Sequence, residues 1–187
     1  MGVVHQVEPA ALIMGVLYGD AELAEQALDI ISRNYGPLEM RSDPFEFSMT
    51  GYYAAEMGGS LRKFFCCLRD PVMPDALPSI KLSTNEIEQM FADTTGGTPK
   101  RRINIDPGYV THAKLVLAST KDFSHRIYIG SGIYAETTLR CAGGELVPLD
   151  TTYPDYRTPP ALDFFNQVRL YVKRNRKQWI RHAASKS

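Results

Sequence analysis

The sequence predicts an α+β protein with a largely antiparallel sheet. Short runs of strand character, bounded by Gly, Pro, Asn and Asp, outnumber the stretches with helical spacing. The first elements follow the order strand, helix, strand, strand, helix, which opens a ferredoxin-like split unit. From Arg101 to Leu149, strand follows strand across tight turns, and such turns join antiparallel neighbours. The later hairpins then extend the sheet or curl it toward a barrel, and a helix closes the chain.

Each element has its own signal. Ala11 to Tyr18 is an apolar run ended by Gly19 and Asp20, a buried strand. Asp20 caps the next helix, whose Leu23, Ala27, Ile30 and Ile31 recur at helical spacing until Gly36 and Pro37 stop it. Phe45 to Tyr53 and Leu61 to Leu68 read as strands. Pro74 to Asp93 is helical, chiefly in its second half, with Ser83 and Glu86 as a capping box. TTGGTPK (residues 94–100) is a mobile loop. The following strands are Arg101 to Ile105, Tyr109 to Thr120, His125 to Ile129, Ile133 to Leu139 and Glu145 to Leu149. Asp106-Pro107-Gly108 and Gly130-Ser131-Gly132 are among the turns. Ile127, Ile129, Ile133, Leu115 and Leu117 are the expected buried set. Ala161 to about Arg176 is the closing helix, with Phe165, Val168 and Val172 as its apolar stripe.

Composition narrows function. The 187 residues, 44% hydrophobic and 22% charged, suit one domain and exclude disorder, collagen and coiled coil. No run approaches the ~20 apolar residues of a membrane helix. Ala10 to Leu17 lacks the basic flank of a signal peptide, and Gln6 breaks the myristoylation pattern at Gly2. Cys66, Cys67 and Cys141 form no CxxC pair and read as reduced thiols of a cytoplasmic protein. Lysines and arginines number 21, as do aspartates and glutamates, so no net field draws the chain to nucleic acid or membrane. The balance hides an asymmetry: Arg169, Lys173, Arg174, Arg176, Lys177, Arg181 and Lys186 follow Asp163, and no acidic residue does. These basic groups suit the negative end of a helix. They also suit an RNA- or protein-binding arm, with Tyr171 and Trp179 for stacking. On the second reading, the tail past Arg176 serves partners more than folding.

The densest chemical signal is Arg101 to Tyr109. Strand alternation puts Arg102, Asn104 and Asp106 on one face, where they suit a phosphate together with a metal ion. Asp106 is then the metal ligand and Mg²⁺ the expected ion. The plainer alternative is a solvated face with Asp106 capping its own turn. In the hairpin of residues 125–139, Ile129 opposes Ile133 and Ile127 opposes Ala135. Tyr128 then meets Tyr134, and Arg126 meets Glu136, on the other face. That face is a ligand floor or carries a plain cross-strand ion pair. Lys114 projects from the same sheet. Lys121 and Asp122 resemble the guanine-reading NKxD signal only superficially. There is no GxxxxGK[ST] loop to support a GTPase reading. His125 with Asp122 is instead a candidate acid–base pair. The amides after Lys81 suit an anion, or cap a helix. Tyr153 to Thr158 is a lid bringing Tyr153 and Arg157 to a ligand, or an anchored loop in which Asp155 pairs with Arg157. Arg102, Asn104, Asp106, Lys114 and Glu136 are expected to converge with this loop around one pocket.

GYYAAEMG (51–58), IKLSTNEIE (80–88), RRINIDPGYVTHAKLVLASTKDFSHRIYIGSGIYAETTL (101–139) and YPDYRT (153–158) resemble a bacterial family called domain of unknown function 4416. The resemblance runs from about Ala11 to Arg174 and implies no particular chemistry.

The resulting expectation is a protein that binds or processes a phosphorylated small molecule or nucleotide. Lys81, Arg102, Lys114, Lys121 and Arg157 meet the phosphates, Asp106 or Glu136 holds Mg²⁺, and His125 moves a proton. The alternatives are an RNA- or protein-binding module using the basic C-terminal helix, and an assembly subunit without a ligand. Polar residues gathered in one concave pocket favour the first reading, and a convex basic face favours the second.

Overall fold

All nine residues of β1 (Ala10–Tyr18) are buried, as a continuous apolar run requires of a strand covered on both faces. The computed structural model describes residues 2–49 and 53–185. After β1 come α1 (Ala21–Tyr35), β2 (Leu38–Arg41), β3 (Phe45–Glu46), α2 (Ala54–Met57), β4 (Arg62–Val72) and α3 (Leu77–Met90). Then follow β5 (Ile103–Val110), β6 (Lys114–Ser119), β7 (Ile127–Gly130), β8 (Ile133–Ala142), β9 (Glu145–Pro148) and α4 (Pro159–Ala184). The strands form one open sheet in the order β2-β4-β1-β5-β6-β8-β7, with β3 on β4 and β9 on β8. All its pairings are antiparallel. The subset β2-β4-β1-β5 has ferredoxin-like order, and the C-terminal hairpins lengthen the sheet.

Helices cover both faces. Leu12, Met14 and Val16 of β1 pack with Ala24, Ala27, Leu28 and Ile31 of α1 and with Ile80 and Ile87 of α3. Ala11 and Ile13 point the other way, toward Phe164, Phe165, Val168 and Val172 of α4. Asp20 caps α1 as expected, its Oδ1 accepting from the amides of Glu22 at 3.0 Å and Leu23 at 3.5 Å.

Several local expectations change. Asp106-Pro107-Gly108 is not a turn but the middle of β5; the chain reverses at residues 111–113. α3 starts at Leu77, led in by a 3₁₀ turn at Pro74–Ala76, so Ser83 lies inside the helix and caps nothing. The strand expected from Phe45 is only Phe45–Glu46; residues 50–52 lie outside the described residues. Gly130, not Ile129, pairs with Ile133, while Tyr128 pairs with Tyr134 and Ile127 with Ala135. Ser131 and Gly132 both take positive φ, 54° and 74°, as a two-residue hairpin turn demands. Ile129 becomes the extra residue of a bulge and is only half-buried. Ile127 is 73% exposed because β7 is an edge strand. Leu115, Leu117 and Ile133 are buried as expected.

The basic C-terminal segment is also more structural than its charge suggests. α4 continues to Ala184, and Trp179 is buried edge-on to Tyr171, with ring centroids 5.5 Å apart. Arg169 donates to the carbonyls of His112 and Gly144, and Arg176 forks onto the Glu8 carboxylate. That guanidinium holds the Glu8 carboxyl below its ordinary value. Lys186 lies outside the described residues.

Candidate functional site

The site begins where the sheet splits. β5 pairs with β1 from Ile103 to Val110, but with β6 only at Gly108, Tyr109 and Val110. At Gly108 the two strands are pressed together: a Cβ there would stand 2.4 Å from the Val116 carbonyl oxygen. One residue earlier the ladder stops, because Pro107 has no N–H to donate. At Ile105, on the same strand edge, side chains of α3 replace the missing strand. The Ile105 N–H donates to Glu88 Oε1 and its carbonyl accepts from Lys81 Nζ, both at 2.7 Å.

A cavity of about 360 Å³ occupies the split. α3 contributes Lys81, Asn85 and Glu88, whose spacing puts them on one helical face. β5 and the residues before it contribute Arg101, Asn104 and Asp106, β4 contributes Lys63, and β8 contributes Glu136. Lys121, Phe123 and Arg126 come from the β6–β7 connection, and Tyr153, Asp155 and Tyr156 from the loop before α4. Phe47 and Tyr53 complete an aromatic side.

The inner wall is a chain of alternating charge. Asp155 Oδ2 accepts from Lys63 Nζ at 2.6 Å. Lys63 Nζ lies 3.8 Å from Asp106 Oδ2, and Asp106 Oδ1 lies 3.8 Å from Lys81 Nζ. Lys81 Nζ is in turn 3.8 Å from Glu88 Oε1. Lys63 belongs to the face that carries α4, whereas Lys81 arrives with α3 from the opposite layer, so the wall bridges the split. Asn104 Nδ2 donates to Asp106 Oδ2 at 3.0 Å, and Arg101 donates to Asn104 Oδ1 at 3.2 Å. Burial pushes the Glu88 carboxyl up to about 7, against the opposing pull of Lys81 and the Ile105 amide. Burial, reinforced by Asp106, likewise raises the Tyr53 and Tyr156 hydroxyls above the ordinary tyrosine value, keeping both protonated. Tyr156 OH is fully buried without a hydrogen-bond partner, and it packs where a Cβ on Gly15 would stand, 2.8 Å away.

A second cluster stands beside it. Arg126 Nε donates to Glu136 Oε2 at 2.7 Å, and its other nitrogens reach Ser119 Oγ, the Lys121 carbonyl and Tyr153 OH. Both charged side chains are buried, so this is no solvated cross-strand pair. His125 Nε2 is 2.9 Å from the same Glu136 oxygen.

Of the residues singled out from sequence, Lys81, Asn104, Asp106, Lys121, Glu136 and Tyr153 converge on this cavity. Arg102 does not: a bend precedes β5, alternation fails there, and Arg102 turns out to Asp20 at 3.2 Å. Lys114 is exposed at the opposite end of β6 from Ser119, roughly 17 Å of extended chain away. Arg157 holds its own loop through the carbonyls of Leu149, Asp150 and Thr152. His125 has Glu136 as its carboxylate partner; Asp122 is exposed and lies outside the cavity. Asp155 pairs with Lys63, not Arg157. The amides after Lys81 lie inside α3 and offer no helix terminus to an anion. Asp106 faces two ammonium groups where further metal ligands would have to stand. Among the described residues no group of three or more His, Cys, Asp or Glu is placed to hold a metal ion.

Sequence reasoning assigned no ligand or catalytic role to Lys63, Glu88, Arg101, Asp155 or Tyr156, although Arg101, Asp155 and Tyr156 lie in the segments it singled out. Two signals were present: Lys63 directly precedes the apolar run Phe64 to Leu68, and Lys81, Asn85 and Glu88 recur at helical spacing.

Fold and site define an α+β protein with an open antiparallel sheet and a charged cavity at the parting of two central strands. The family model described as a domain of unknown function (DUF4416) matches residues 8–171, and the chain belongs to that family. Neither the curated proteins nor the solved structures contain a match. Among the described residues no helix is long and apolar enough to cross a membrane.

Proposed function

We propose that this protein binds a small phosphorylated molecule in the cavity at the sheet split. The observation that carries the reading is convergence: five cationic side chains (Lys63, Lys81, Arg101, Lys121 and Arg126) and four carboxyls line one concave site. Its volume, about 360 Å³, lies at the lower end of the range for ligand pockets. Lys121 and Arg101, the latter paired with the exposed Glu56 at 2.7 Å, stand on the outer, more exposed side with Phe123 and Tyr153. There they suit a phosphate and the aromatic rings suit a flat or hydrophobic group. Glu88, whose carboxyl titrates near neutral pH, supplies a proton donor and acceptor. The basic helix supports an RNA-binding reading less, since Arg169 and Arg176 are engaged within the chain. The unpaired cysteines support a cytoplasmic setting.

The test is calorimetric titration of the intact protein with AMP and ribose 5-phosphate. Arg101→Met combined with Lys121→Met should weaken binding at least tenfold, about 1.4 kcal/mol. Absence of binding to both probes, or equal affinity in the variant, refutes the reading.

A further inference from the structure

Resting on that reading, we propose that the inner wall formed by Lys63, Asp106 and Lys81 binds the hydroxyl-bearing carbons of the ligand. The ligand class is then a sugar or polyol phosphate, oriented with its phosphate outward and its hydroxyls inward.

The argument starts from hydrogen-bonding capacity. Each ammonium has three N–H donors. Lys63 Nζ donates to Asp155, and Lys81 Nζ to the Ile105 carbonyl. Their other close oxygens lie at 3.8 Å, beyond hydrogen-bond reach. Two donors on each lysine therefore lack an oxygen acceptor, although the side chains are only 5% and 7% exposed and the Lys63 ammonium also stands 4.8 Å from the Tyr156 ring centroid. Buried donors in such a position call for acceptors. Between them, Asp106 Oδ2 accepts from Asn104. Asp106 Oδ1 has only the ammonium at 3.8 Å, and this side chain, 30% exposed, is the most accessible acid of the wall.

The wall thus offers donors and an acceptor side by side. A hydroxyl both donates and accepts, so it satisfies both kinds of group at once. A phosphate dianion only accepts, and it would set its charge against Asp106, Asp155 and Glu88. Charge distribution points the same way. The wall holds three carboxyls against two lysines, whereas on the outer side Arg101, Lys121 and Arg126 stand with two, Glu136 and the Glu56 that accepts from Arg101 at 2.7 Å. The anionic group is favoured outside and the neutral polar group inside.

The experiment is calorimetric titration with ribose 5-phosphate, sorbitol 6-phosphate and methyl phosphate, on the intact protein and on Asp106→Ala. A buried charged group that loses its partner hydroxyl discriminates strongly, so at least one sugar or polyol phosphate should bind roughly tenfold or more tighter than methyl phosphate. Asp106→Ala should bring all three within about threefold of one another while leaving methyl phosphate no weaker. Asp106→Asn, which keeps the shape, serves if the alanine variant does not fold, and should narrow the gap in the same direction. If the sugar and polyol phosphates bind no tighter than methyl phosphate, or the Asp106 variants weaken all three alike, the inner-wall assignment falls and the phosphate reading stands. If none of the three binds, both fall.

Discussion

Glu88 is the residue whose environment is most at odds with its charge. It is buried, it accepts from a backbone amide, and the nearest ammonium is 3.8 Å away. Its carboxyl is raised from 4.5 to about 7, so the folded chain holds this proton more tightly than the unfolded chain. Stability from this group is therefore fully present below about pH 4.5 and is lost as pH rises through about 7. Glu88→Gln keeps an oxygen for the Ile105 amide but removes the titration. Urea unfolding should show the variant more stable than wild type at pH 8, by on the order of 2–3 kcal/mol, and nearly equal to it at pH 5. A parallel pH dependence in the two proteins would refute the assignment. At this scale the sequence was half legible. Asn104 and Asp106 followed from alternation, which is local. Arg102 broke the same rule at a bend, and Lys63 and Glu88 acquired partners 92 and 17 residues away that no local pattern encodes.

At the scale of elements, β5 decides the architecture. Asp-Pro-Gly is a strong turn signal, yet here it lies within a strand because β1 supplies an uninterrupted partner along the other edge. Tertiary pairing outweighs turn propensity, and the two turn residues acquire different roles: Gly108 lets the strands meet, and Pro107 ends the meeting. Gly108→Ala puts a methyl 2.4 Å from a backbone oxygen and should cost about 1–3 kcal/mol by denaturant unfolding. Gly59→Ala, where nothing lies within 4 Å, is the matched control and should be nearly neutral or slightly stabilising. A neutral Gly108→Ala would mean that β5 and β6 are not in close approach. The fold class was legible because strand runs and tight turns are local signals. The start of α3 was not, because Pro78 lies within its first turn, where proline is tolerated.

Across the whole molecule, α4 acts as the cover of one sheet face. The charge asymmetry after Asp163 suggests an appendage, but charge describes only the outward side of a helix. The inward side carries Phe164, Phe165, Val168, Val172 and Trp179, which belong to the main apolar cluster. Removing the chain after Arg176 takes Trp179 out of that cluster and should destabilise the protein by on the order of 3 kcal/mol, as Trp179→Ala alone should do. An unchanged melting temperature in both variants would return the tail to the role of an appendage.

The split between β5 and β6 has a spectroscopic consequence. The Ile105 amide proton is held by a carboxyl of the cavity, whereas its neighbours along β5 are held by backbone carbonyls of β1. Its chemical shift and its exchange with deuterated solvent follow the protonation state of Glu88 and whatever approaches Lys81. One resonance in the middle of a buried strand thus reports on the cavity from inside, without a label and without knowledge of the ligand.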